Sequence, residues 1–337
     1  DAEGFVTSFG SVPFANNVAK RDSTQVARFR AAGAIVVGKT NAPEFGSAAF
    51  TRNRLFGVTR NPWSPEHSPG GSSGGASAAL ASHMLPLVTG SDGGGSVRIP
   101  ACLVGAFGLK PSYGRIPTGP RERWHFIDTE HNGPITKTVS DAALFLDQVA
   151  GVCPYDENSL PDPGYRYVDK LNEKLPRLRI AYSPDFGDVR VQREVAAAVE
   201  DGVRVIEKLG HDVRPLRGGP PHTAAAWVFL NNVDGFAHFS SMFATHGDEF
   251  GRGFIAGVKT AAGVTPDQLE LTIKRRALLV AWCAELFSEY DLVISPTIPY
   301  DGHPAQGPYP TEIDGVPTDA PGPGAFTIPW NLSYHPA

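Results

Sequence analysis

The stretch Pro69-Gly70-Gly71-Ser72-Ser73-Gly74-Gly75-Ala76-Ser77-Ala78-Ala79-Leu80-Ala81-Ser82, followed after a short spacer by Leu87-Val88-Thr89-Gly90-Ser91-Asp92-Gly93-Gly94-Gly95-Ser96-Val97-Arg98-Ile99-Pro100, decides how the rest of the chain is read. Two glycine-rich turns, each carrying serine, flank a small-residue helix and a short apolar strand. Such a layout brings two hydroxyls together. Three consecutive glycines, Gly93 to Gly95, admit backbone angles closed to other residues, so successive N–H groups can converge on one point as an oxyanion hole requires. Ser96 would then present its hydroxyl beside that array. A flexible polar loop is the other reading of the same composition.

Competing motifs fail on context. Gly71-Ser72-Ser73-Gly74-Gly75 fits the Gly-x-Ser-x-Gly pattern of a nucleophile elbow, but an elbow must follow a buried strand. Pro62, Pro65 and Pro69 lie just ahead of it, and no central strand runs through them. Further upstream, Gly33-Ala34-Ile35-Val36-Val37-Gly38-Lys39-Thr40 fits the phosphate-loop pattern. Its four middle residues are a continuous apolar run that reads as a buried strand, and Asn41-Ala42-Pro43 follows where a helix start is needed to receive phosphate. The expectation is therefore a helix over residues 23–32, capped by Asp22-Ser23-Thr24 and ended by Gly33, feeding a buried strand at Ala34–Val37.

Beyond the two turns, helical spacing predicts helices over 139–151, 191–209, 224–243 and 269–290, with short strands at 178–182, 211–214 and 291–296. The helix at 224–243 is rich in aromatics (Trp227, Phe229, Phe236, Phe239, Phe243), a pattern that marks core before it marks a pocket. Residues 296–324, rich in proline and glycine, read as a mobile surface segment. Alternation of helices and strands makes the fold class α/β.

The chain has 337 residues, 41% of them hydrophobic, and a formal net charge of −5, with acidic and basic residues interspersed. It can bury a large core, and it lacks the basic footprint that nucleic acid or an anionic membrane requires. Three cysteines, Cys102, Cys153 and Cys283, show neither metal-ligand spacing nor a disulfide framework. That usage fits a reducing, cytoplasmic setting. No apolar run is long enough to span a bilayer.

Pro69 to Pro111 resembles the signature region of the amidase signature family, serine hydrolases of amides that use a Ser-Ser-Lys triad. The resemblance rests on the Gly-Gly-Ser-Ser-Gly-Gly turn, the Asp92-Gly93-Gly94-Gly95-Ser96-Val97-Arg98-Ile99-Pro100 turn, the 24-residue separation of Ser72 and Ser96, and Gly108-Leu109-Lys110-Pro111. Gly33 to Glu44, Asn61-Pro62-Trp63, Gly133-Pro134-Ile135, Val139-Ser140-Asp141 and Asp291 to Pro296 extend it over nearly the whole chain. It implies a large mixed β-sheet flanked by α-helices on both faces. It also implies one amidase domain across 1–337, incomplete at both ends, with a signature core at about 20–150 and a substrate-shaping helical region at about 185–290.

Carried over residue by residue, the resemblance makes Ser96 the acyl-forming nucleophile and Ser72 the bridging serine, joined to Gly71 by a cis peptide bond. Gly93, Gly94 and Gly95, with Ser96, supply oxyanion N–H donors, each typically worth roughly 3 kcal/mol of barrier. Asp92 and Arg98 pin the turn as structural partners, and Ser73 supports the network by hydrogen bonding. The family's lysine sits upstream of a Thr-x-x-Gly-Ser-like turn, here Thr7-Ser8-Phe9-Gly10-Ser11, and counting back by the family's spacing passes Asp1. Lys20, Lys39 and Lys110 do not match its position. The sequence is therefore expected to be the middle of a longer polypeptide and inactive without the upstream lysine.

The function implied is hydrolysis of an amide or anilide-like carbon–nitrogen bond through a serine acyl-enzyme, without metal or cofactor. The partners expected are a small-molecule amide and, at most, a second copy of the chain as a homodimer, with no nucleic acid and no membrane. Two alternatives stand beside it: a glutaminase-type subunit of a tRNA-dependent amidotransferase, and a non-catalytic relative. Against the former, Ile99 follows Arg98 where that subgroup usually carries glutamine, and the aromatic-rich middle suits an apolar substrate.

Overall fold

The computed structural model describes residues 1–120, 128–318 and 322–337. Short helices and strands follow one another along the chain because apolar runs are brief and glycine or proline interrupts them. Helix α1 spans Thr24–Ala31, and the hairpin strands β1 (Arg52–Asn53) and β2 (Gly57–Val58) pair antiparallel within the proline-rich wrap that follows. Helix α2 (Gly74–Ala81) leads to strand β3 (Val88–Asp92), helix α3 (Arg98–Val104), and strands β4 (Phe107–Gly108) and β5 (His131–Thr136). Helix α3 stops at Gly105, whose φ of +69° is the left-handed conformation that glycine adopts without a Cβ penalty.

Helix α4 (Val139–Val149) is capped by Thr138, whose side chain accepts from the Asp141 N–H, and the short α5 (Tyr167–Lys170) follows. Arg28 of α1 donates to the carbonyls of Val149, Ala150, Gly151 and Val152, placing a cation at the carbonyl end of α4 and binding the two helices. Strand β6 (Arg179–Tyr182), helix α6 (Arg193–Lys208) and strand β7 (Asp212–Pro215) form a β-α-β unit with parallel strands. Helices α7 (Ala224–Phe239), α8 (Phe243–His246), α9 (Arg252–Lys259) and α10 (Pro266–Glu289) then run in succession. The last opens with a capping box between Thr265 and Gln268 and with Pro266 in the first turn, where its missing N–H does no harm. Strand β8 (Leu292–Ile294), the hairpin β9 (Glu312–Ile313) and β10 (Val316–Pro317), and helix α11 (Ile328–Leu332) complete the order.

The larger strands fall into two sheets. In the antiparallel one, β5 lies between β3 and β4, with Val88 opposite Ile135 and Asp92 opposite His131. In the parallel one, β6 lies between β7 and β8. The class is mixed α/β as expected, although the strands are divided between these sheets and two small hairpins instead of joining one large sheet. Ala76, Leu80, Val88, Val97, Ala101 and Ile135 form the core beneath the first sheet. Leu279, Cys283 and Leu286 of α10 pack on Phe326, Trp330 and Leu332, so the segment around α11 seals the second.

Two expectations are corrected. Ala34–Val37 is not a buried strand: it pairs with no strand among the described residues, and Ile35 and Val37 are 87% and 66% exposed. An apolar run becomes a strand only if a neighbour accepts its backbone groups, and none does so here. Residues 296–324, apart from 319–321, which lie outside the described residues, are not merely a surface segment. Ile298, Tyr300, His303 and Ile313 are buried, and Ile298, Tyr300 and Ile313 pack around Ile99. Proline and glycine there make the backbone irregular without keeping its side chains in water.

Candidate active site

The first turn is shaped by close backbone packing. A Cβ on Gly71 would stand 2.8 Å from Ala48 O, and one on Gly75 would stand 2.4 Å from both N and O of Asn41. Only glycine lets the segment 41–51 lie so near. Within this cradle the Gly71–Ser72 peptide is cis and Ser72 is buried. Thr51 Oγ1 donates to Gly70 O at 2.9 Å, and Ser77 Oγ donates to Pro69 O and Gly74 O at 3.1 and 3.0 Å.

The second turn leaves β3 at Asp92 and enters α3 at Arg98, and every carbonyl from Ser91 to Ser96 has a donor. Ser91 O accepts from Ser73 Oγ (3.3 Å), Asp92 O from Asn331 Nδ2 (2.7 Å), Gly93 O from Trp227 Nε1 (2.5 Å) and Gly94 O from Thr327 Oγ1 (2.6 Å). Gly95 O accepts from Ile99 N at 2.7 Å and Ser96 O from Ser73 N at 3.2 Å. Six successive peptide planes are therefore oriented. Ser73 stitches the two turns, and Ser72 and half-buried Ser96 sit on the stitched segments.

Beneath the turn lies a buried ion pair. The Asp92 carboxylate accepts from the N–H groups of Gly95 (2.7 Å) and Val97 (3.1 Å), and from Arg98 Nε and Nη2 at 3.0 and 2.8 Å. Arg98 reaches onward to Thr327 O and Asn331 Oδ1. Burial alone would raise the Asp92 pKa. The charge and hydrogen bonds of Arg98, with that of Asn331, outweigh it and hold the carboxyl well below the usual range. Of the three glycines expected to offer N–H groups to an oxyanion, Gly95 thus gives its own to Asp92.

Lys110 is fully buried close by, donating to His335 O at 2.5 Å and Pro111 O at 3.3 Å. Burial, then the charge of Arg98, pushes its pKa well down, against the pull of Asp92. His131, opposite Asp92 in the β-ladder, is lowered to about 3 by burial and then by the charge of Lys110.

The Amidase family model matches residues 1–337. The chain belongs to the amidase family. It is 35% identical over 344 residues to an acylamidase of Rhodococcus erythropolis, covering 99% of this chain and 71% of that protein. It is 39% identical over 218 residues to a glutamyl-tRNA(Gln) amidotransferase subunit of Pseudomonas syringae pv. syringae, covering 64% of this chain but only 44% of that one. Among solved structures, a bacterial aryl acylamidase of the amidase signature enzymes superposes with a TM-score of 0.91 at 27% identity, covering 99% of this chain and 72% of that chain. A 6-aminohexanoate cyclic dimer hydrolase gives 0.87 at 29% identity, covering 99% and 74%. These likenesses place this amidase-family chain among hydrolases of amide carbon–nitrogen bonds, with the amidase-signature fold.

Three side chains that hold the candidate site were not assigned to it from the sequence, where Trp227 read with its aromatic neighbours as core before pocket. Trp227, Thr327 and Asn331 come from α7 and α11 or its edge, 134, 233 and 239 residues from their carbonyl partners. A hydrogen bond to a backbone carbonyl leaves no spacing pattern.

Proposed function

We propose that the protein cleaves the carbon–nitrogen bond of an amide or anilide by way of an ester to Ser96, with Ser72 as the proton bridge. The observation that carries this reading is the Ser91–Ser96 turn, whose six carbonyls are all held, so that its N–H groups, other than that of Gly95, which Asp92 takes, are oriented in advance of any reaction. Fixed dipoles stabilise developing charge without reorganising when it forms, which is why such arrays dominate acyl-transfer catalysis. Ser96 Oγ bonds to the substrate carbonyl carbon while its proton passes to Ser72 and on to a general base. The tetrahedral oxyanion then collapses, the C–N bond breaks and the amine departs with a proton. Water repeats the sequence on the ester and frees the acid.

Lys110 is not given the role of base, because its Nζ is engaged in donating to the His335 and Pro111 carbonyls. Apolar substrates are favoured by the half-buried Trp227 ring against the turn, while Ile99, packed among Ile298, Tyr300 and Ile313, stands where a glutaminase subunit usually carries glutamine. The latter speaks against a glutaminase subunit. Ser96→Ala in the natural protein should abolish turnover of a chromogenic anilide, by about 10⁴-fold or more, with the unfolding midpoint retained. A serine-reactive fluorophosphonate should add its mass to Ser96. Unchanged turnover in the variant overturns the assignment, and release of ammonia from glutamine in preference to the anilide would favour the amidotransferase reading.

A further inference from the structure

The structure assigns to Trp227 a positioning role: its indole N–H sets the orientation of the Gly93–Gly94 peptide, and with it the Gly94 N–H that faces the oxyanion. The inference rests on the acyl-enzyme reading above. Indole Nε1 donates to Gly93 O at 2.5 Å, and the peptide it grips is trans, so the Gly94 N–H points away from the indole. A glycine peptide has no side chain to hold its plane. Without the indole, the Gly93 carbonyl and the Gly94 N–H could turn together at little cost.

Contact is not confined to that one bond. A Cβ on Gly94 would fall 2.7 Å from Trp227 Cζ2 and 2.9 Å from Cε2, so the ring lies against this glycine and fills the space any side chain would need. Trp227 is itself held: its backbone carbonyl accepts from Asn231 Nδ2 at 2.7 Å, and its N–H donates to Thr223 O at 2.9 Å. It differs from the turn's other distant anchors. Thr327 and Asn331 are buried and share the Asp92–Arg98 network, whereas Trp227 is half-buried and stands on α7, outside that network. The helical region beyond residue 223 thus reaches the reacting centre through this donor.

The decisive variant replaces Trp227 with 3-benzothienylalanine, which keeps the fused-ring shape and removes the N–H. Trp227→Phe is its genetically simple companion. We expect kcat for a chromogenic anilide to fall about 10-fold or more with KM changed less than about 3-fold. Inhibition by phenylboronic acid, whose adduct on serine mimics the oxyanion, should weaken by a similar factor. The benzothienyl variant should remain fully folded under assay conditions, its unfolding midpoint lowered only by the loss of one hydrogen bond. A benzothienyl variant with kcat and boronate affinity within about 2-fold of the parent overturns the role, as does a rise in KM with kcat intact, which would make Trp227 only a wall of the substrate site. Failure of the underlying reading looks different: in that case Ser96→Ala retains turnover and boronate no longer discriminates between it and the parent.

Discussion

The turn bearing Ser72 and the turn bearing Ser96 are both glycine-rich, yet they are held by different means. The first is gripped sterically: the backbone of segment 41–51 lies so close that Gly71 and Gly75 admit no Cβ, the Thr51 side chain does the same at Gly74, and Pro100 closes on Gly70. Its constraints come almost entirely from the nearby sequence. The second is gripped by hydrogen bonds from Trp227, Thr327 and Asn331 and by the buried Asp92–Arg98 pair. Steric fixing and polar fixing fail differently, because a clash acts on the whole fold, whereas a lost donor frees one peptide plane.

The largest effect should come from Arg98→Met. It leaves the Asp92 carboxylate buried without its cation, and breaking one side of a buried pair costs about 3–5 kcal/mol. Denaturant unfolding would show it, together with loss of anilide turnover. A loss below about 1 kcal/mol would mean that the second turn does not depend on the pair. Gly75→Ala attacks the first turn instead. The added Cβ meets Asn41 backbone at 2.4 Å, and overpacking of this kind costs about 1–3 kcal/mol. Stability should fall while residual activity tracks the folded fraction. If activity vanishes with stability intact, the first turn is fixed by something finer than packing.

A buried histidine lies behind each turn. His131 faces Asp92 across the ladder, and the His303 carbonyl oxygen accepts from the Ser68 N–H ahead of the first turn. His131 is lowered to about 3 by burial and Lys110, and His303 to about 4 by burial and His67. Both folded values lie below the ordinary 6.5, so as pH falls the unfolded chain takes up protons that the folded one refuses. Stability from these groups is complete above pH 6.5 and drains away from 6.5 towards 3 for His131 and towards 4 for His303. Each should contribute about 1 kcal/mol of loss per pH unit inside its window. Stability measured at pH 7 and pH 5 for His131→Gln and His303→Gln tests this, since each change should flatten the slope by its own share. The smallest effect belongs to Ser73→Ala, which removes the 3.3 Å bond to Ser91 O while keeping the backbone stitch to Ser96. A loss near about 0.5–1 kcal/mol and a few-fold fall in kcat are expected. A collapse of activity would show that the two turns communicate through that hydroxyl.

The contrast between the turns also explains what was readable in the chain. Gly71, Gly74 and Gly75 are demanded by close packing, and the two turns pointed to a candidate site only through their resemblance to the amidase signature, since composition alone also fits a flexible polar loop. Asp92 and Arg98 are near enough in sequence to share one turn. Helices α4, α6 and α10 followed from apolar spacing, although α10 begins at Pro266, ahead of the expected 269, because its Thr265–Gln268 capping box precedes the apolar run. Ala34–Val37 misled because an apolar run records an appetite for a partner strand and not the presence of one. Residues 296–324 misled because proline and glycine describe backbone regularity, while Ile298, Tyr300 and His303 describe burial. In α7 the aromatics differ: Phe239 packs with Phe45, Phe250 and Phe254 as core, whereas Trp227 packs on the cluster around Phe326 and Trp330 and also reaches the glycines. Only the fold separates the two.

The three distant donors also set an order of events during synthesis. Residues 69–100 leave the ribosome long before Trp227, and Asn331 follows only after roughly a further hundred residues. Until each donor has been made, the carbonyl it holds in the folded protein, Gly93 O for Trp227, Gly94 O for Thr327 and Asp92 O for Asn331, can bond only to water. A nascent chain therefore carries both serines before the side chains that hold the second turn have been made.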